Sequence, residues 1–136
     1  MVWTVGVDLG ASNLRVAITG ASGEIIAQRR VPTTQGPDGA SISKSVLDEV
    51  DALCTEVGLQ PMDIVGVGIA TFGPLDMQRG AVVSPPNLQY SIEQIDLFAP
   101  FTERYPHAEV HVLNDATAGV IAERFHASAN PDNMVY

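Results

Sequence analysis

The sequence predicts an α/β domain, in which a meander of three antiparallel strands precedes helices alternating with parallel strands. Three observations lead there. The chain opens with three strand-like runs separated only by short turns. A helical stretch with apolar residues spaced one, three or four apart follows near residues 42–57. Beyond it, the apolar runs 64–71 and 110–113 are separated by a second helical segment.

The first strand is read over 3–8 and the second over 13–19, where Leu14, Val16 and Ile18 alternate with Asn13, Arg15 and Ala17. Ala21-Ser22-Gly23-Glu24 makes the turn to a third strand at 25–31. Residues 32–39, rich in Thr, Gly and Pro, read as a loop. A helix is expected over 42–57, capped by Ser41 and stopped by Gly58. Its face of Val46, Leu47, Val50, Leu53 and Val57 includes Cys54, which reads as core packing. With one cysteine, an intrachain disulfide and a cysteine-rich zinc site are both excluded. Gly alternates with Val and Ile over 64–71, which suits a buried parallel strand. Phe72 to Asp76 reads as a turn, 80–84 as a short return strand ended by Pro85-Pro86, and 92–105 as a helix. A strand at 110–113 and a helix at 116–126 complete the series. His107, His111 and His126 have no metal-ligand spacing and read as surface or half-buried residues.

Two carboxylates stand where apolar strands run out. Asp115 lies in Leu113-Asn114-Asp115-Ala116-Thr117-Ala118-Gly119, between a strand and a small-residue helix. Backbone amides and the helix dipole there favour a charged carboxylate, and the same position suits a plain N-cap. Asp8 ends the run Val5-Gly6-Val7. The turn after it, Gly10-Ala11-Ser12-Asn13, has neither the lysine nor the helix of a Walker loop. Its amides and hydroxyl could cradle an anion, with Gly10 free to take positive φ, although turns of this composition also close hairpins that bind nothing.

Four landmarks in order are Asp8-Leu9-Gly10-Ala11-Ser12-Asn13-Leu14-Arg15, Val67-Gly68-Ile69-Ala70-Thr71-Phe72-Gly73-Pro74-Leu75-Asp76, Pro86-Asn87-Leu88 and Leu113-Asn114-Asp115-Ala116. Together they resemble the sugar-kinase branch of the actin-like ATPase superfamily, and within it the ROK family (repressors, open reading frames and kinases). The β-β-β-α-β-α-β-α order matches the ribonuclease-H-like plan of that superfamily. The resemblance implies a five-stranded mixed sheet of order 3-2-1-4-5 flanked by helices. It spans the whole chain but only the N-terminal half of the family. Where the family usually has Gly-Gly-Thr, this chain has Gly10-Ala11-Ser12. Ser12 keeps the hydroxyl, and Ala11 adds a methyl beside the implied phosphate path.

The activity implied is transfer of the γ-phosphate of ATP to a sugar hydroxyl. A hydroxyl is a poor nucleophile at neutral pH, so a carboxylate must accept its proton during attack. The resemblance gives that catalytic role to Asp115. It gives sugar contact to Gly80, Asn87, Asn114 and Asp115, and ATP phosphate contact to Asp8, Gly10, Ala11, Ser12 and Asn13. Asp8 would sit apart from Asp115 and act on Mg²⁺ through water. Arg15 is expected to brace the hairpin. The Phe72-Gly73-Pro74-Leu75-Asp76 segment is slightly closer to fructokinase-type members than to the Pro-Gly form of glucokinases; which sugar is taken does not follow from it.

Residues 1–130 are expected to form one lobe, with 131–136 the start of a second that would carry the adenosine pocket. The full-length protein is expected to be a homo-oligomer. A sugar-sensing repressor of the same family would place a helix-turn-helix before the first strand, so the expectation is a kinase. A non-kinase ATPase of the superfamily is the other alternative, and the Pro86-Asn87-Leu88 and Leu113-Asn114-Asp115 segments argue against it.

Composition narrows the partners. No apolar run approaches the ~20 residues of a membrane helix, and Asp8 interrupts the first apolar stretch before it could serve as a signal peptide. A cytoplasmic location is expected. Net charge is −9, with Lys44 the sole lysine, which argues against nucleic acid and anionic membranes as partners. Sixteen acids against seven bases also fit a halophilic protein, whose self-repulsion is screened by salt. Thermal melts should therefore rise from low to molar potassium chloride. A melting point that stays level or falls would exclude that adaptation.

Overall fold

The computed structural model describes residues 2–86 and 88–115. Strands β1 (Trp3–Leu9), β2 (Asn13–Thr19) and β3 (Ile25–Pro32) form the opening meander, followed by helix α1 (Gly39–Glu56). Next come β4 (Ile64–Thr71), then β5 (Leu75–Asp76), β6 (Ala81–Val83) and β7 (Gln94–Asp96). Helix α2 (Phe98–Arg104) and β8 (Glu109–Asn114) follow. The main sheet has the order β3-β2-β1-β4-β8, with β1 antiparallel to β2 and parallel to β4, and β4 parallel to β8. This is the expected 3-2-1-4-5 arrangement. Its fifth strand is β8 because three short strands make a separate antiparallel sheet, β5-β6-β7.

Register explains which face holds the core. Val7 pairs with Val16 and Ile69, and Ile69 with Val112; all four are buried. Side chains of directly paired residues share a face. Asp8 therefore belongs to the opposite face, with Ala70 and Leu113 in its row. Along β1 and β4 that face carries mostly small residues, and a Cβ added at Gly6 or Gly68 would meet nothing within 4 Å among the described residues. On the core side α1 lays down Ile42, Val46, Val50 and Leu53, each no more than 1% exposed. Each aliphatic side chain so buried contributes about 1.5–3 kcal/mol. Phe101 and Tyr105 stack at 6.1 Å between ring centres, and the free thiol of Cys54 is buried, as its place on the apolar face predicts.

Three expectations need correction. The α1 cap is Asp38, whose carboxylate accepts the Ser41 amide and hydroxyl, each at 2.8 Å, so the helix begins a turn earlier than read. Gly58 does follow the helix in the left-handed region, at φ +78°. The segment 92–105 is not one helix but β7 followed by α2. Ile95 and Leu97 are buried while Asp96 and Phe98 are exposed, a strand's alternation, and Pro100 lacks the amide needed deeper in a helix. The stretch 72–76 contains the expected turn, with a cis Gly73–Pro74 bond, but ends in strand β5. The helix expected at 116–126 lies outside the described residues.

Gly39 shows how closely the first turn of α1 approaches β7. A Cβ there would lie 1.6 Å from the Gln94 carbonyl oxygen. Ser43 donates its hydroxyl to the Asp96 carbonyl in the same contact.

Candidate functional site

Parallel strands deliver their C-terminal ends to one edge of the sheet, and ligands of open α/β sheets bind there. At that edge stand Asp8 and Leu9 of β1, Thr71 of β4 and Asn114 of β8; Leu9 pairs with Thr71, and Thr71 with Asn114. The 10–13 turn joins β1 to β2 at this same edge.

The turn is held from one side. Gly10 donates its amide to the Asn13 carbonyl at 2.9 Å. Thr33, just past β3, donates its amide to the Ser12 carbonyl at 2.9 Å and its hydroxyl to the Gly10 carbonyl at 2.7 Å. Gln35 donates its side-chain amide to the Ala11 carbonyl at 2.8 Å. Three successive carbonyls are thus drawn toward the 33–35 segment. In a trans peptide the N–H points opposite to the C=O, so the amides of Ala11 and Ser12 face away from that segment. Such an arrangement is suited to an anion. A Cβ at Gly10 would come 2.9 Å from the Asn13 carbonyl oxygen, which accounts for glycine there. Arg15 lies opposite Asp8 in the β1–β2 ladder.

Asp115 follows β8 directly. The negative charge of Asp8 reaches it. Burial, and then the negative charge of Asp8, push the Asp115 carboxyl above its ordinary value. The shift is opposite in direction to the one expected from backbone amides and a helix dipole, and the charge of Asp8 reaches Asp115.

Asn114 lies over the 73–74 turn; its side-chain nitrogen would be 3.0 Å from a Cβ placed on Gly73. Gly80 is buried in the turn between β5 and β6 at φ +61°. Its amide donates to Asp76 at 2.8 Å, and its carbonyl accepts from Leu97 and Phe98 at 3.2 and 3.0 Å. A Cβ there would meet Phe98 at 2.4 Å. Gly80 thus has a folding role, with its backbone groups already engaged. Asn87 lies outside the described residues. The described residues Ser84, Pro86, Leu88, Gln89, Tyr90 and Glu93 line a cavity of about 410 Å³.

Asp8, the 10–13 turn, Asn114 and Asp115 therefore share one sheet edge. Thr33 and Gln35 were missed from the sequence, because nothing in a loop of Thr, Gly and Pro announces which carbonyl its side chains will reach. His107 and His111 are exposed, as expected, and His126 lies outside the described residues. Among the described residues, no three His, Cys, Asp or Glu side chains group to hold a metal directly. No described helix is long and apolar enough to cross a membrane.

The ROK family model matches residues 4–136. The chain belongs to the ROK family. Over 98% of its length it is 30% identical to the xylose repressor of Bacillus subtilis, covering 34% of that protein. Over 90% of its length it is 30% identical to the glucokinase of Aeropyrum pernix, covering 36% of it. A ROK family glucokinase from Streptomyces griseus, solved with glucose and AMPPNP, superposes with a TM-score of 0.63 at 25% identity, over 87% of this chain and 35% of that one. The chain thus spans about a third of the length of the relatives it matches, and its fold is the actin-like ATPase fold of ROK proteins. ROK relatives include both sugar kinases and transcriptional repressors.

Proposed function

We propose that the chain is the sugar- and phosphate-facing lobe of an ATP-dependent hexose kinase. The observation that carries the reading is the gathering of Asp8 and Asn114, followed by Asp115, at one sheet edge beside the outward-facing amides of the 10–13 turn. A carboxyl raised above its ordinary value is a stronger proton acceptor once ionised, which suits a general base toward a sugar hydroxyl.

In this reading Asn114, Asn87 and Asp115 orient the sugar, and Gly80 shapes the turn behind them. The amides of Ala11 and Ser12, with the Ser12 hydroxyl and Asn13, receive ATP phosphate oxygens. Mg²⁺ binds through one or two carboxylates and several waters, and the two acids at this edge fit that habit, with Asp8 holding the ion through water. The ion would neutralise phosphate charge during transfer.

Likeness to a glucokinase solved with glucose and AMPPNP supports the choice of substrates. Likeness to a xylose repressor over nearly the whole chain favours a second reading, a sugar-responsive regulator that binds sugar without phosphorylating it. A coupled ADP-release assay with glucose, fructose and xylose separates them. The full-length protein should turn over at least one sugar with ATP and Mg²⁺, whereas residues 1–136 alone should not. Sugar binding without turnover in the full-length protein would favour the regulator. Turnover by the 136-residue chain would overturn its assignment as half of a site.

A further inference from the structure

The face of the main sheet opposite the core carries a charge pattern that the proposed site leaves unused. Arg15 of β2 and Arg30 of β3 are directly opposite in the antiparallel ladder, and both are exposed. Residues so paired share a face, with Cβ atoms about 5 Å apart, and like charges placed this way destabilise a sheet. The other described Lys and Arg side chains are treated differently. Arg29 pairs with Glu49, Lys44 with Asp48, Arg79 with Asp76 and Arg104 with Asp51. Arg15 and Arg30 have no carboxylate partner among the described residues, in a chain with sixteen acids to seven bases. Asp8 lies across from Arg15 in the same row, stops short of an ion pair with it, and could offset only one of the two charges.

The position of the pair is as specific as its charge. Asn13 opens β2, and Pro32, its partner, closes β3. Arg15 and Arg30 are each two residues from that end, about 7 Å along the strands, which an arginine side chain can span. Both guanidinium groups can thus reach the edge that holds the 10–13 turn. A guanidinium presents a rigid fork of donors that grips phosphate through two bonds, and two forks side by side suit one dianion. We infer that Arg15 and Arg30 form a binding site for a phosphate group at the edge of the sheet beside the 10–13 turn. The phosphate is that of a nucleotide or a free phosphate ion, and the chemistry of the pair is the same for both. The inference goes beyond the kinase reading and does not need it, since a regulator could hold the same ligand.

The test uses the full-length protein with Arg15→Gln and Arg30→Gln. Arg79→Gln is the control, because it removes the same charge from the turn between β5 and β6. Calorimetry at fixed ionic strength gives Kd for orthophosphate and for Mg-AMPPNP. The parent should bind at least one of them, and each site variant should weaken that binding by about tenfold or more, the scale of one charged hydrogen bond. The control should stay within about twofold, since a distant surface charge is screened. Loss of AMPPNP affinity assigns the pair to the nucleotide; loss confined to orthophosphate assigns it to the free ion. Melting in chloride buffer gives a second readout. With no phosphate present, relief of the like charges should leave either variant level with the parent or above it. A parent that binds neither ligand, site variants that bind as the parent does, or an equal loss in Arg79→Gln overturns the inference. So does a lowered melting temperature with binding intact, which would mean that acids elsewhere in the full-length chain already neutralise the pair.

Discussion

Asp115→Asn in the full-length protein should, on the proposed kinase reading, lower kcat for sugar phosphorylation by about 10²–10⁴-fold, the usual worth of a positioned base. Sugar affinity should change little, because the amide still bonds a hydroxyl. Stability should not fall, for two reasons. Asn caps a helix as well as Asp does. Moreover, a carboxyl whose value is raised in the folded state favours folding when protonated, and that contribution is lost as pH climbs through the raised value. Asp115 is exposed, so solvent screens this effect, and replacement by a neutral amide should leave the melting temperature level. Measuring kcat, sugar Kd and Tm on one variant separates this from a purely structural role. If Asp115 only caps a helix, kcat stays within a few-fold of the parent.

Gly39→Ala should be the most damaging small substitution in the described part of the fold. The new methyl would overlap the Gln94 carbonyl oxygen at 1.6 Å, and that obstacle is backbone rather than a movable side-chain tip. Either the first turn of α1 must lift or β7 must shift, and the Ser43 bond to Asp96 is disturbed with it. A loss of about 3 kcal/mol, the upper part of the range for overpacking, is expected in urea unfolding. Ala favours helix over Gly by about 1 kcal/mol, so unchanged or increased stability would show that the contact relaxes freely. Gly68→Ala is the control, since its Cβ would meet no described atom within 4 Å.

Much of this fold can be read from the chain because its signals are local. The alternation of Leu14, Val16 and Ile18 places β2, and the Val and Ile of 64–71 place β4 within the same bounds as observed. Strand order came from the family's pattern of motifs, since spacing alone does not say which strands pair. The 92–105 segment misled because Ile92, Ile95, Phe98 and Phe101 recur at helical spacing, while the burial of Ile95 and Leu97 on β7 obeys a strand's period. Asp38 was passed over as a cap because Ser41, its hydrogen-bond partner, is itself a good capping residue. At the site, Asp8 and Asp115 stood out as acids at strand ends. The effect of the Asp8 charge on Asp115 did not, because it depends on two strands meeting β4 from opposite sides.

That dependence on β4 also sets an order of assembly. Val5 pairs with Ile18 and Ile18 with Ala27, contacts a growing chain makes within its first thirty or so residues. Val5 meets Val67 only later, and Val67 meets Val110 later still. Pairings this distant in sequence close slowly, because loop entropy must be overcome before the contacts form. The 10–13 turn therefore forms early, inside a local meander, while the acid proposed as base reaches it last. During synthesis the chain passes through a stage that owns the proposed anion cradle and lacks the proposed base.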